Sequence, residues 1–227
     1  MRLSRSKKSW LALFAGLSFI VFILLSSVFA YVFQKSFYEE FYEKEHLAQE
    51  LDISEEELNE SLFSMLDFVQ SKTDSIASIF NEKEVEHMKD VKSLYELAKK
   101  VQWICLGVTV CIVLIFYKVE RRHMFSFLAK GFIQASFCFL FFIGVLALWA
   151  WIDFTDFWYR IHTLFFTNEL WIMDPRTDFM ILICPENMFS ALCLKTGLTF
   201  IFIVLTINLG SFWYLLKKSV IGFDKFD

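Results

Sequence analysis

His87 and His162 are the side chains in this sequence with the clearest capacity for chemistry. An imidazole near its usual pKa of about 6.5 can take a proton from an amine and return one to a leaving alkoxide. Placed where lipid headgroups meet water, two of them suit proton transfer on a lipid-linked substrate. Nothing else resembles a catalytic nucleophile or a metal cage: HExxH is absent, as are CxxC and Cys/His zinc spacings. His87, Asp90 and His162 offer three zinc ligands, but HxxD is a weak signature, so no metal is expected. A structural, hydrogen-bonded histidine on an apolar helix face is the plain alternative for each. His46, in a charged run, and His123, on the opposite side of the membrane, read as structural.

The elements that must position these rings are membrane helices. Hydrophobic residues fill 56% of 227 positions and the mean hydropathy is +0.49, too apolar for a soluble domain of this length. Four runs reach the roughly 20 residues that cross a hydrocarbon core as a helix. They are 10–33, 101–119, 131–152 and 196–216. Backbone in lipid must satisfy its own hydrogen bonds, so the expected fold class is all-α, an integral membrane protein with four transmembrane helices. The first run has the basic flank of a signal peptide, and Val28-Phe29-Ala30 passes as a cleavage site. Its apolar stretch is longer than a usual signal core and continues to Phe33, so a retained span is expected.

Basic residues set the expected orientation. Arg2, Arg5, Lys7 and Lys8 precede the first span. Lys118, Arg121, Arg122 and Lys130 flank the loop at 120–130, and Lys217, Lys218 and Lys225 the tail at 217–227. These regions, with residues 1–9, are expected in the cytoplasm of a multi-pass cell-membrane protein. Residues 35–101 hold 17 acidic against 8 basic side chains, a net of −9, and residues 153–195 hold 6 against 3, a net of −3. The loops at 34–100 and 153–195 are therefore expected outside. The overall charge of −4 hides this asymmetry, and no basic face suggests nucleic acid. Cys105, Cys111 and Cys138 read as apolar packing residues within spans. Cys184 and Cys193 lie where a disulfide is permitted, but spacing does not pair them.

The outer segments read as helical. Ser54 with Glu57 forms a capping box, and Asn81 with Glu84 marks a second helix start. No Gly or Pro interrupts the chain from there to Gly107, so one helix is expected to run into the second span. On it His87, Asp90, Val91, Leu94, Ala98 and Val101 share a stripe that turns His87 inward. Asp90, one turn on, is placed to orient the ring or raise its pKa. Phe154, Trp158, Ile161 and Phe165 share a face beside His162, and Trp151, Trp158, Tyr159 and Trp171 suit a membrane interface. Pro175 and Pro185 punctuate the segment, and the apolar 179–183 is too short to span, suited to dipping into the interface or re-entering. His87 lies 14 residues before Val101 and His162 lies 10 after Ile152. At 1.5 Å per residue both stand roughly 15–20 Å beyond the span ends, so the rings can meet.

The segments His87-Met88-Lys89-Asp90-Val91-Lys92, His162-Thr163-Leu164-Phe165-Phe166, Trp171-Ile172-Met173-Asp174-Pro175, and Leu182-Ile183-Cys184-Pro185-Glu186 with Phe189 together resemble the lipoprotein intramolecular transacylase (Lit) family of Gram-positive bacteria. The likeness covers nearly the whole chain and departs where Cys184 replaces the phenylalanine expected before the proline. It implies an acyl shift within one diacylglyceryl-modified lipoprotein, from the glycerol sn-2 oxygen to the α-amine of the N-terminal cysteine, giving the lyso form. It implies His87 and His162 as catalytic groups, Asp90 in support, and a substrate pocket at Phe165, Phe166, Trp171, Asp174, Cys184 and Phe189. It implies lipoprotein and membrane phospholipid as partners and no cofactor. One histidine would be the base and the other, protonated, the acid or oxyanion partner, with Asp90 favouring His87 as base. A transient acyl-imidazole is the alternative. The competing class is a membrane sensor with an acidic outer domain, though the short tail leaves little room for a signalling domain. A transporter fits less, because the hydrocarbon spans carry no charged residue of the kind that marks an ion or substrate path, and no inverted repeat is evident.

Overall fold

The computed structural model describes residues 4–223, with side chains through 219, so Arg2 and Lys225 lie outside the described residues. All regular elements among them are helices: α1 (Arg5–Val32), α2 (Lys35–Glu45), α3 (Leu47–Glu50), α4 (Glu55–Val69), α5 (Glu82–Val119), α6 (Met124–Ile152), α7 (Phe154–Phe165), α8 (Met180–Ile183) and α9 (Glu186–Phe223). α1, α5, α6 and α9 are long and apolar enough to cross a membrane and carry the four apolar runs, save Phe33. The chain divides into two compact units whose boundaries fall inside these long helices.

The first unit comprises Met1–Ser27, Lys100–Leu148 and Gly197–Asp227. Small residues bring α1 and α6 together: a Cβ on Gly131 would stand 2.3 Å from the backbone of Ala12, and one on Gly16 would stand 2.8 Å from the Gly131 carbonyl oxygen. Such close approach by small residues is how helices pack without a hydrophobic drive in lipid. Ile20, Ile23, Phe132, Ala135, Phe200 and Val204 form one buried cluster, and Ala12, Ala15, Ile112, Phe116 and Met124 another. Hydroxyls inside the helices donate one turn back, Ser27 to Ile23 and Ser136 to Phe132. Phe137, Phe141, Phe142 and Phe202 point outward, the pattern of helices solvated by hydrocarbon. Cys111 and Cys138 are also exposed, so of the three span cysteines only Cys105 is even partly packed.

The second unit comprises Val28–Lys99 and Trp149–Thr196. Its core gathers Phe37, Tyr38, Phe41, Tyr42, Leu58, Leu62, Met65, Val69, Met88, Met180, Ile183 and Met188. Ser54 caps α4 by accepting from the Glu57 amide. His46, at φ 55°, ends α2 in the left-handed conformation, a structural role. At the start of α5 the capping box is reciprocal. The Asn81 side chain accepts from the Glu84 amide at 3.0 Å, and the Glu84 carboxylate accepts from the Asn81 amide at 2.7 Å. Glu84 is fully buried and accepts a further bond from the Met180 amide at 2.5 Å. In the apolar turn at 179–183, Met180 and Ile183 fill the unit's own core, and Tyr42 donates to the Ile183 carbonyl. Pro185 precedes α9, where its missing N–H costs nothing.

Candidate active site

The site lies within the second unit and is built by α5, α7 and the segment after α7. α5 runs unbroken from Glu82, and its apolar, membrane-length part begins only at Val101, well beyond His87. The capping box fixes the first turn of α5, and Lys83 bonds the buried Asp178 at 2.9 Å. Asp178 also accepts from Asn81, Thr177 and the Asp174 amide, which holds its carboxyl far below the usual range. One turn later His87 is buried, 7% exposed. α7 starts at its N-cap Asp153, which accepts from the Asp156 amide, and presents His162 in its last turn.

The two rings, 75 positions apart in sequence, face each other with centroids 6.5 Å apart and planes 30° from parallel. An aromatic wall surrounds them. Phe166 touches both, at 5.1 Å from His87 and 5.7 Å from His162. Trp158 meets His162 edge-on at 4.8 Å, and Trp171 stacks on it at 5.0 Å. Phe189 stacks on Trp158 at 4.6 Å, and Tyr159 meets Trp171 edge-on at 5.1 Å.

The rings differ in how they are held. His162 Nδ1 lies 2.8 Å from the Trp158 carbonyl oxygen, which accepts only, so Nδ1 carries the proton and Nε2 is left as acceptor. Nδ1 of His87 is buried with no hydrogen-bond partner among the described residues. Burial pushes the His87 pKa down to about 4. Repulsion from His162 and Lys83 adds to this, and Asp90 opposes it. Burial lowers the His162 pKa as well, against the Trp158 carbonyl. Both shifts favour the neutral form of the ring.

Of the supporting residues expected from the sequence, the structure assembles some and disperses others. Phe166 and Trp171 line the histidines, and Phe189 joins through Trp158. Phe165 is exposed and makes no ring contact with either histidine. Asp174 pairs with Arg176 on the surface. Cys184 packs against the unit's core, where burial, and then the Glu84 charge, push its thiol up to about 12. Cys184 and Cys193 are both free. Asp90 forms no hydrogen bond to His87. Its carboxylate accepts from Asn168 at 2.8 Å, and it reaches His87 only through its charge. Among the described residues no group of three His, Cys, Asp or Glu side chains is placed to hold a metal. Sequence reading missed the role of Trp158, although its position four residues before His162 was a usable signal, and it missed Asn168 and Asp178, which had none.

The chain was compared with known proteins. No curated protein matches it. Among solved structures it is similar to the membrane integral lipoprotein intramolecular transacylase Lit from Bacillus cereus. Identity is 18%, coverage is 96% of this chain and 100% of that one, and the TM-score is 0.79. Two variants of that protein, with one histidine replaced by arginine or by alanine, match with TM-scores of 0.75 at 18% and 17% identity. They cover 96% and 95% of this chain, and 95% and 96% of their own. The profile of the family described as Lipoprotein intramolecular transacylase Lit matches residues 13–189, which include both histidines and the aromatic wall around them. A chain matched over most of its length, with an all-helical membrane fold and two facing imidazoles, belongs to the Lit family of lipoprotein intramolecular transacylases, which produce lyso-form lipoproteins.

Proposed function

We propose that the chain moves the sn-2 acyl group of a diacylglyceryl-cysteine lipoprotein to the cysteine α-amine, with His162 as general base and His87 as a neutral N–H donor. The observation that carries this reading is the facing pair of imidazoles, one with its Nδ1 against a backbone carbonyl.

The amine nitrogen attacks the ester carbonyl carbon, a C–N bond forms, and the carbonyl oxygen becomes an oxyanion. His162 Nε2 takes the proton from nitrogen, because the Trp158 carbonyl already occupies Nδ1–H. A neutral His87 donates an N–H to the oxyanion, where a donor held away from water is worth most. The carbonyl reforms, the bond to the glycerol oxygen breaks, and the proton on His162 passes to that oxygen. His162 is the better base because the pKa of His87, near 4, lies further from neutrality. Amine and ester belong to one molecule, so holding them in near-attack geometry supplies much of the acceleration, up to roughly 7–11 kcal/mol in favourable cases. Lipoproteins are the partners in this reading, with the site on the extracytoplasmic side of the membrane.

The test is tandem mass spectrometry of a diacylated lipopeptide incubated with the purified protein. Substrate and product are isomers, so fragmentation must locate the chains. An acyl group on the α-nitrogen with one left on glycerol supports the reading. His87→Ala and His162→Ala are expected to abolish the product while retaining the fold; wild-type turnover in either removes that histidine from the mechanism.

A further inference from the structure

The wall against His162 is held at one residue after α7, Asn168, through its side chain and its main-chain carbonyl. Its Oδ1 accepts from the Leu170 amide at 3.1 Å, which tightens the turn. Its carbonyl accepts from Trp171 Nε1 at 2.9 Å. Its Nδ2 donates to Asp90 on α5 at 2.8 Å, across 78 positions of sequence. Trp171, fixed by this turn, stacks on His162. Asp90 stands three residues from His87 on the same helix, so the Asp90–Asn168 bond ties the element bearing one histidine to the segment that bounds the other. No other hydrogen bond fixes Asn168 or the Trp171 indole among the described residues.

We infer that Asn168 is a positioning residue for the acyl transfer proposed above. It presses Trp171 onto His162 and sets the spacing of the two imidazoles through its bond to Asp90. This inference rests on that reading of the histidines. Asn suits the position because its amide offers an acceptor to the turn and a donor to a carboxylate at once. Aspartate there would keep the acceptor but place a second negative charge against Asp90. Alanine would keep the carbonyl that holds Trp171 but lose both side-chain bonds, so the turn carrying that carbonyl loosens, Trp171 shifts with it and His162 is free to change rotamer. Small displacements of this kind cost turnover more than binding, because near-attack geometry is lost while substrate contacts persist.

The experiment uses full-length protein in detergent, with a diacylated lipopeptide as substrate and 15N-histidine labelling. Asn168→Ala is expected to lower kcat about ten- to a hundred-fold, with KM within about three-fold and the melting temperature little changed. Asn168→Asp is expected to fall further. Combining it with Asp90→Asn exchanges donor and acceptor and is expected to recover at least about ten-fold over Asn168→Asp, which a loss of folding cannot mimic. The His162 ring resonances are expected to move in Asn168→Ala and return in the exchanged pair. Wild-type kcat in Asn168→Ala, unmoved His162 resonances, or an exchanged pair no better than Asn168→Asp each overturns the inference. If His162→Ala keeps full turnover, the proposed role of His162 fails instead, and the resonances still decide whether Asn168 positions the ring.

Discussion

The proposed transfer by two neutral imidazoles would have a distinctive pH dependence. An unperturbed histidine base would give an acid limb near pH 6.5. Burial pulls His87 down to about 4 and lowers His162 too, so both shifts favour the neutral ring around neutral pH. The group that titrates there is the substrate amine, whose free pKa is roughly 8. The kcat/KM of the wild-type protein on an amine-bearing lipopeptide is therefore expected to rise with pH through 7–8, with no inflection near 6.5. A break at 6–7 that disappears in a histidine variant would return the base role to an ordinary imidazole. The same shift has a consequence for stability. Unfolded, His87 takes a proton near its usual 6.5; folded, it takes one only near 4. The unfolded state binds more protons between these values, so the contribution is intact above pH 6.5 and is lost as pH falls toward 4. Melting temperatures at pH 7 and 5 are expected to differ less in a stable His87→Phe variant than in the wild type.

Two helix pairings position everything else, and each rests on a specific contact. Gly131 on α6 has no room for a methyl group against Ala12 of α1. Gly144, on the same helix, would direct a Cβ into open space. Gly131→Ala is therefore expected to lower the melting temperature clearly, although alanine is intrinsically the better helix former by about 1 kcal/mol. Gly144→Ala is expected to leave it unchanged or raise it; equal behaviour would remove the close approach as a packing determinant. At the start of α5, Glu84 satisfies two main-chain amides, those of Asn81 and Met180. Glu84→Ala leaves both donors unpaired, at a cost on the order of 3 kcal/mol. Thermal unfolding in detergent measures it, with Glu57→Ala at the exposed start of α4 as a milder comparison.

At the scale of the whole molecule, charge asymmetry predicts topology. An epitope tag inserted at Ser71, within the acidic loop, is expected to be reached by antibody in intact spheroplasts, and one at Arg122 only after lysis. The reverse pattern would put the histidines on the cytoplasmic side. Much of this protein was legible in its amino-acid order. Hydrophobic run length dictates four membrane helices, because lipid leaves the backbone no other partner. The Asn81–Glu84 cap and the inward His87 follow from local spacing, since both are settled within a turn or two of one helix. What only the tertiary structure decided are contacts between distant segments. The 179–183 turn packs into its unit's core because Glu84 and Tyr42, far away in sequence, bind its backbone. Asp90 went to Asn168 and not to His87, and Phe165 faced outward while Phe166 turned in. Period and composition describe one element at a time; which of two neighbouring polar groups captures a side chain depends on the geometry of a partner that the local pattern does not contain.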